Sequence, residues 1–171
     1  METWDAITAR RNVRDFAERP LSGDDLDRIL EAGRRAPSSR NWQPWDFVVV
    51  TDREQLRELA KVWRGAGHVA HSAATIALVL PCFDDAGERE IALYDLGQAT
   101  MAMQIAAADL GIGSGHGAVA DQDQARRVLG LPDDRCAAYL VDLGHPADRP
   151  LRPIRRPNRR AFEEVVHRGR W

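Results

Sequence analysis

The chain has 171 residues, 44% of them hydrophobic and 29% charged, which suits one packed domain spanning residues 1–171 and excludes wholesale disorder. Its 24 basic and 26 acidic residues leave a net charge of −2, and among the basic residues only Lys61 is a lysine. The two cysteines, Cys82 and Cys136, are too few for a disulfide scaffold or a four-thiolate zinc site, and the longest apolar run, Ala73 to Leu80, falls far short of the ~20 residues that span a bilayer.

The opening Met1-Glu2-Thr3-Trp4-Asp5 is acidic and lacks the basic-then-apolar pattern of a secretory leader, so a soluble cytoplasmic protein is expected. Thr3 to Ala9 is a short helical candidate, with Trp4 and Ile7 three residues apart. Ser22 can cap a second helix, with Asp25 in its favourable first turn. Leu26, Ile29 and Leu30 then recur at helical spacing, and Gly33 lies close to a stop. Ala36 to Pro44 is loop-like in composition, and Asp46 to Val50 predicts a buried strand. Asp52 can cap a helix whose Leu56, Leu59 and Ala60 share a face. After the Gly65-Ala66-Gly67 interruption, Ala73 to Leu80 predicts a second buried strand.

The longest periodic segment runs from Glu88 to Leu110, about 30 Å at ~1.5 Å per residue. Ala99, Ala102, Ala106 and Ala107 make it slim, which allows close approach by another helix, within the fold or from a second subunit. Gly111 to Gly117 is a glycine-rich loop, Gln122 to Leu129 a short helix stopped by Gly130, and Cys136 to Leu143 a third apolar strand. Pro150, Pro153 and Pro157 keep the tail that follows extended. This order of elements predicts an α+β or α/β domain without internal repeats.

Arginine concentrates at both ends. Arg10-Arg11-Asn12-Val13-Arg14 closes the first helix, and Arg149 to Trp171 holds eight arginines against Glu163 and Glu164, a local +6. Such a tail fits nucleic acid, an acidic partner or a bound phosphate, but it lacks the interleaved aromatics of a single-strand binder. Arg10 and Arg14 could face one anion, with Asn12 adding an amide; the plain alternative is a solvated basic face.

Pro37-Ser38-Ser39-Arg40-Asn41-Trp42-Gln43-Pro44-Trp45 packs hydroxyl and amide groups between prolines, a stiff presenter of polar groups to a heteroaromatic edge, or simply a capped turn over two core tryptophans. The G-x-G-x-G spacing at 111–117 follows a helix, so it fails the context of a dinucleotide fingerprint. His68, His71, His116, His145 and His167 show no metal-ligand spacing, and Gly113-Ser114-Gly115 lacks the nucleophile elbow. Ligand binders without a nucleophile suit a protein whose chemistry belongs to a cofactor.

Taken together, these segments resemble the nitroreductase family of flavin enzymes. Arg10-Arg11-Asn12-Val13-Arg14-Asp15-Phe16 is similar to its opening motif, and Ala36-Pro37-Ser38-Ser39-Arg40-Asn41-Trp42-Gln43-Pro44-Trp45-Asp46-Phe47 to its A-P-S-S-x-N-x-Q-P-W-x-F. Asp95-Leu96-Gly97-Gln98-Ala99 resembles its central helix, Gly111-Ile112-Gly113-Ser114 the loop after it, and Arg159-Arg160-Ala161-Phe162-Glu163-Glu164-Val165-Val166-His167 its closing R-[RK]-P-L-E-E-V-V-H.

The resemblance implies an α+β fold with a central, mostly antiparallel sheet wrapped by helices, in an intertwined homodimer with two FMN sites at the interface. It implies that Arg10, Arg11, Asn12, Arg14 and Arg159 hold the phosphate and ribityl groups, and that Pro37, Ser38, Ser39 and Asn41 reach the flavin of the other subunit. Gly117-Ala118 would face flavin N5. NADH or NADPH would be the co-substrate and a nitroaromatic, quinone or similar flat small molecule the acceptor, by a ping-pong mechanism, with no metal, nucleic acid or membrane partner. No catalytic side chain is required, His116 being a candidate proton donor. The alternatives are a redox-inert FMN store and a specialised flavin-consuming or dehydrogenase member of the same fold.

Overall fold

The computed structural model describes residues 1–171. Five strands form one sheet: β1 (Asp46–Val50), β2 (Ala74–Pro81), β3 (Gly113–Ser114), β4 (Gly117–Ala118) and β5 (Arg135–Gly144), in the order β1-β2-β5-β3 with β4 also paired to β5. Every pairing is antiparallel. The helices are α1 (Thr3–Ala9), α2 (Gly23–Arg34), α3 (Arg53–Leu59), α4 (Ala86–Asp109), α5 (Gln122–Leu129) and α6 (Phe162–Val165). This is the expected α+β architecture. No helix is long and apolar enough to cross a membrane.

Strand geometry sends alternate side chains to opposite faces, and β2 supplies both cores from one apolar run. Ile76, Leu78 and Leu80 join Ile29, Trp45, Leu96 and Met103 beneath α2 and α4. Ala77 and Val79 face the other way, into Leu56, Leu59, Val69 and Ala125 beside α3 and α5. On β5 the register shifts because Leu78 pairs with Tyr139 and Val79 with Ala137, leaving Ala138 as an extra residue. The bulge puts Ala137 and Leu140 on one face although they are three residues apart.

Side-chain caps begin four helices where Asp or Ser precedes them. The N–H groups of Asp25, Gln55, Glu88 and Gln124 donate to Ser22, Asp52, Asp85 and Asp121. The alanines of α4 serve packing within the chain: Ala92, Ala99 and Ala107 are fully buried. Gly33 lets α2 approach α4 closely, since a Cβ there would stand 2.8 Å from Met103 Cγ.

Two expectations need correction. β1 is an edge strand with Asp46 and Val49 exposed, because only β2 flanks it. The glycine-rich segment is no plain loop, since its two short strands complete the sheet against β5. Cys82 and Cys136 are joined as a single disulfide, a pairing not identified in the sequence.

Candidate active site

The buried side of α4 carries two polar residues, Asp95 and Gln104, each 2% exposed. Each is buried because it serves a segment arriving from elsewhere in the chain.

Arg10 caps the C-terminal end of α1, its N–H donating to Ala6 O. Its side chain donates from Nε and Nη2 to Gln104 Oε1 at 3.1 and 2.6 Å. Gln104 Nε2, equally buried, has no partner. The two residues share a cavity of about 350 Å³ with Leu96, Thr100, His116 and Tyr139. Burial, and next the charge of Arg159 arriving from the tail, hold the Arg10 pKa below its ordinary value. A half-buried guanidinium beside an orphaned amide donor suits an anion carrying further oxygen acceptors.

The residues after Arg10 run extended beside β3, Val13 N–H donating to Ser114 O at 2.9 Å and Asn12 bridging to Ser114. Alternation buries Val13 and leaves Asn12 and Arg14 exposed. Arg11 turns away to Asp148 at 2.6 Å and to Arg149 O at 3.0 Å. Of the five residues expected at the phosphate, therefore, Arg10 lines the cavity; Arg11, Asn12, Arg14 and Arg159 are not among its lining, Arg159 reaching Arg10 through its charge.

The segment Pro37 to Asn41 is held at the other end of α4. Ser39 N–H donates to Asp95 Oδ2 at 2.8 Å, Gln43 N–H to Ser38 Oγ at 2.9 Å, and Asn41 N–H to Ser38 O at 3.0 Å. These bonds hold three non-glycine residues in the left-handed region, Arg40, Asn41 and Gln43, with φ of 52°, 58° and 53°, conformations that persist only where the surroundings enforce them. Pro37, Ser38 and Ser39 border a hollow with Tyr94, Asp95 and Gln98, whereas the Arg10 cavity uses Leu96, Gly97, Thr100 and Gln104. The two sets occupy different faces of one helix.

Gly117 and Ala118 pair with Leu140 and Tyr139 of β5, which puts their backbone beside the Tyr139 that walls the cavity; His116, exposed, lines it directly. Gly115 is a glycine for a steric reason. A Cβ there would stand 2.7 Å from Val13 O and closer still to Asp142 Oδ2. Behind this turn Asp142 is fully buried, its Oδ1 3.2 Å from His68 Nε2. That contact lies outside hydrogen-bonding geometry, and neither carboxylate oxygen has another partner. No group of three or more His, Cys, Asp or Glu converges to hold a metal ion.

Asp95, Gln104, the role of Tyr139 and the His68–Asp142 pair were not identified in the sequence. A signal existed for the first two: Ala92, Asp95, Leu96, Ala99 and Met103 are a core stripe at helical spacing, and Gln104 extends it, so a polar residue there must be satisfying something.

The profile of the Nitroreductase family matches residues 7–76. An Archaeoglobus fulgidus protein provisionally named NADH dehydrogenase/NAD(P)H nitroreductase is 30% identical over 96% of this chain and 96% of its own. The chain belongs to the nitroreductase family. A Bacillus subtilis relative named FMN reductase [NAD(P)H] is 27% identical over 91% of this chain and 70% of its own. The crystal structure of nitroreductase A from Vibrio parahaemolyticus superposes with a TM-score of 0.84 at 26% identity, covering 97% of this chain and 74% of that one. The family profile takes in the Arg10 segment, the Pro37–Asn41 turn and β1.

Proposed function

We propose that this nitroreductase-family chain is an FMN-containing oxidoreductase that takes electrons from NADH or NADPH and passes them to flat, electron-poor small molecules such as nitroaromatics and quinones. The observation that carries the reading is the Arg10–Gln104 pair. It holds a half-buried guanidinium and an orphaned amide donor at a cavity toward which Arg159 brings a second positive charge. A flavin mononucleotide offers the matching groups, a dianionic phosphate and a hydroxylated chain. The name of the Bacillus subtilis relative supports the same cofactor.

In this reading Arg10 and Arg159 bind the phosphate, and Gln104 Nε2 donates to a ribityl oxygen. The Gly117-Ala118 backbone, with Tyr139 behind it, fixes the ring. Bound flavin supplies the hydride acceptor and donor at its N5. The chain's part is to stack nicotinamide and acceptor in turn against one face and to keep them apart, which gives ping-pong kinetics. His116, at the cavity edge, is a bystander in hydride transfer. Pro37, Ser38, Ser39 and Asn41 serve the cavity of a second copy, because within one chain the hollow bordered by Pro37, Ser38 and Ser39 lies on another face of α4.

The test is direct. Protein reconstituted with FMN is yellow and is bleached by NADH or NADPH without oxygen, with parallel double-reciprocal lines in steady state. A chain that binds FMN but is not reduced by either nucleotide is a flavin store, and a colourless chain refutes the reading.

A further inference from the structure

The two cysteines stand apart from the Arg10 cavity, and their surroundings give them a chemistry of their own. Cys136 lies in β5 opposite Leu80, and Cys82 directly follows β2, its N–H donating to Asp134 O at 2.9 Å. The β2–β5 ladder runs from Ala74↔Leu143 to Pro81↔Arg135. Backbone hydrogen bonds therefore run up to this corner on both sides of the sulfur–sulfur bond. The bond is not buried: Cys82 is exposed and Cys136 half-buried. Both line a groove of about 360 Å³, walled by Phe83, Leu93, Val119 and Tyr139, with Arg89 of α4 beside them. Leu93 and Tyr139 also wall the Arg10 cavity, so the groove continues from it.

We propose that Cys82–Cys136 is a thiol–disulfide exchange site for a low-molecular-weight thiol bearing a carboxylate. A thiolate in the groove attacks Cys82 Sγ, the more exposed sulfur. A mixed disulfide forms there, the Cys82–Cys136 bond breaks, and its electron pair leaves with Cys136 Sγ, which then takes a proton. A second thiolate attacks the mixed disulfide, releasing the small molecule as its own disulfide and Cys82 as a thiolate. Two small thiols are oxidised and two cysteines reduced. The Arg89 guanidinium, lining the same groove, binds the incoming carboxylate. An adduct at Cys82 fills the groove beside the Arg10 cavity and leaves Arg10 free. The exchange involves no flavin, so it stands or falls separately from the function proposed above.

Glutathione is the probe. The oxidised native chain is incubated with reduced glutathione, exposed thiols are trapped with a maleimide and counted by mass spectrometry, and circular dichroism is followed in the same solution. Both cysteines are expected to be labelled while the fold is intact. With oxidised glutathione, Cys136→Ser should gain one glutathione at Cys82, about tenfold faster than Cys82→Ser gains one at Cys136. Adding Arg89→Ala to Cys136→Ser should slow that gain severalfold. Reduction only at denaturant concentrations that abolish the dichroism overturns the proposal, because the bond is then a structural staple. Free thiols in the oxidised chain, equal rates for the two serine variants, or a rate indifferent to Arg89→Ala overturn it too.

Discussion

Arg10 and Gln104 hold one another before any ligand arrives, through two hydrogen bonds to a single amide oxygen. Burial and the charge of Arg159 both oppose the Arg10 charge, so an anion bound there offsets that cost. Charge-assisted hydrogen bonds contribute about 1.5–3 kcal/mol each. Arg10→Ala is therefore expected to weaken FMN binding at least about tenfold in a fluorescence titration, while Arg11→Ala, whose guanidinium is engaged by Asp148, changes it little. Equal losses in both variants would show that the phosphate sits elsewhere. The buried pair His68–Asp142 yields a stability prediction. Removing the polar neighbour of a fully buried carboxylate costs about 1–3 kcal/mol, because the carboxylate is left without compensation. His68→Leu should show a loss of that order in urea unfolding, and a much smaller one on an Asp142→Asn background. Additive losses would mean that the two residues do not interact.

At the scale of elements, α4 organises the molecule by presenting different chemistry on each face. Its alanines and Met103 accept α2, Gln104 accepts the end of α1, and Asp95 accepts the turn at Ser39. The turn is strained at Arg40, Asn41 and Gln43, and a strained segment keeps its shape only while its anchors hold. Asp95→Ala leaves the Ser39 N–H without its carboxylate. Destabilisation of about 1–3 kcal/mol is expected, with amide exchange accelerated over residues 39–43 and unchanged in β2. Uniform acceleration along the chain would instead mark Asp95 as a general core residue. This element was half legible in the sequence. The Pro-Ser-Ser composition announced a stiff polar turn, but the carboxylate that holds it lies more than fifty residues away, and no local pattern links the two.

For the whole molecule, the distribution of apolar surface bears on assembly. Ile91, Tyr94 and Met101 of α4 are 46%, 74% and 47% exposed, and Trp4 and Ile7 of α1 are exposed as well. Apolar groups on one helix facing water mark an interaction surface, and the division of the expected flavin contacts between two faces of α4 calls for a second copy. A dimer of about twice the chain's 19.1 kDa is expected. Tyr94→Glu should yield a monomer with sharply reduced FMN affinity although Arg10 and Gln104 are untouched; a flavin-loaded monomer in sedimentation would refute the shared site. What the sequence determined by itself was whatever rests on neighbours in the chain: the helix periods and their Ser and Asp caps, the two-residue alternation of β2, and the motif order that identifies the family. Those signals are local, and local geometry repeats wherever the same residues recur. Tertiary structure alone decided which arginine meets Gln104, that Asp142 lies buried behind Gly115, that the Ala138 bulge turns Ala137 and Leu140 to one face, and that Cys82 reaches Cys136. Each depends on the path of the chain between distant residues, and a sequence pattern carries no record of that path.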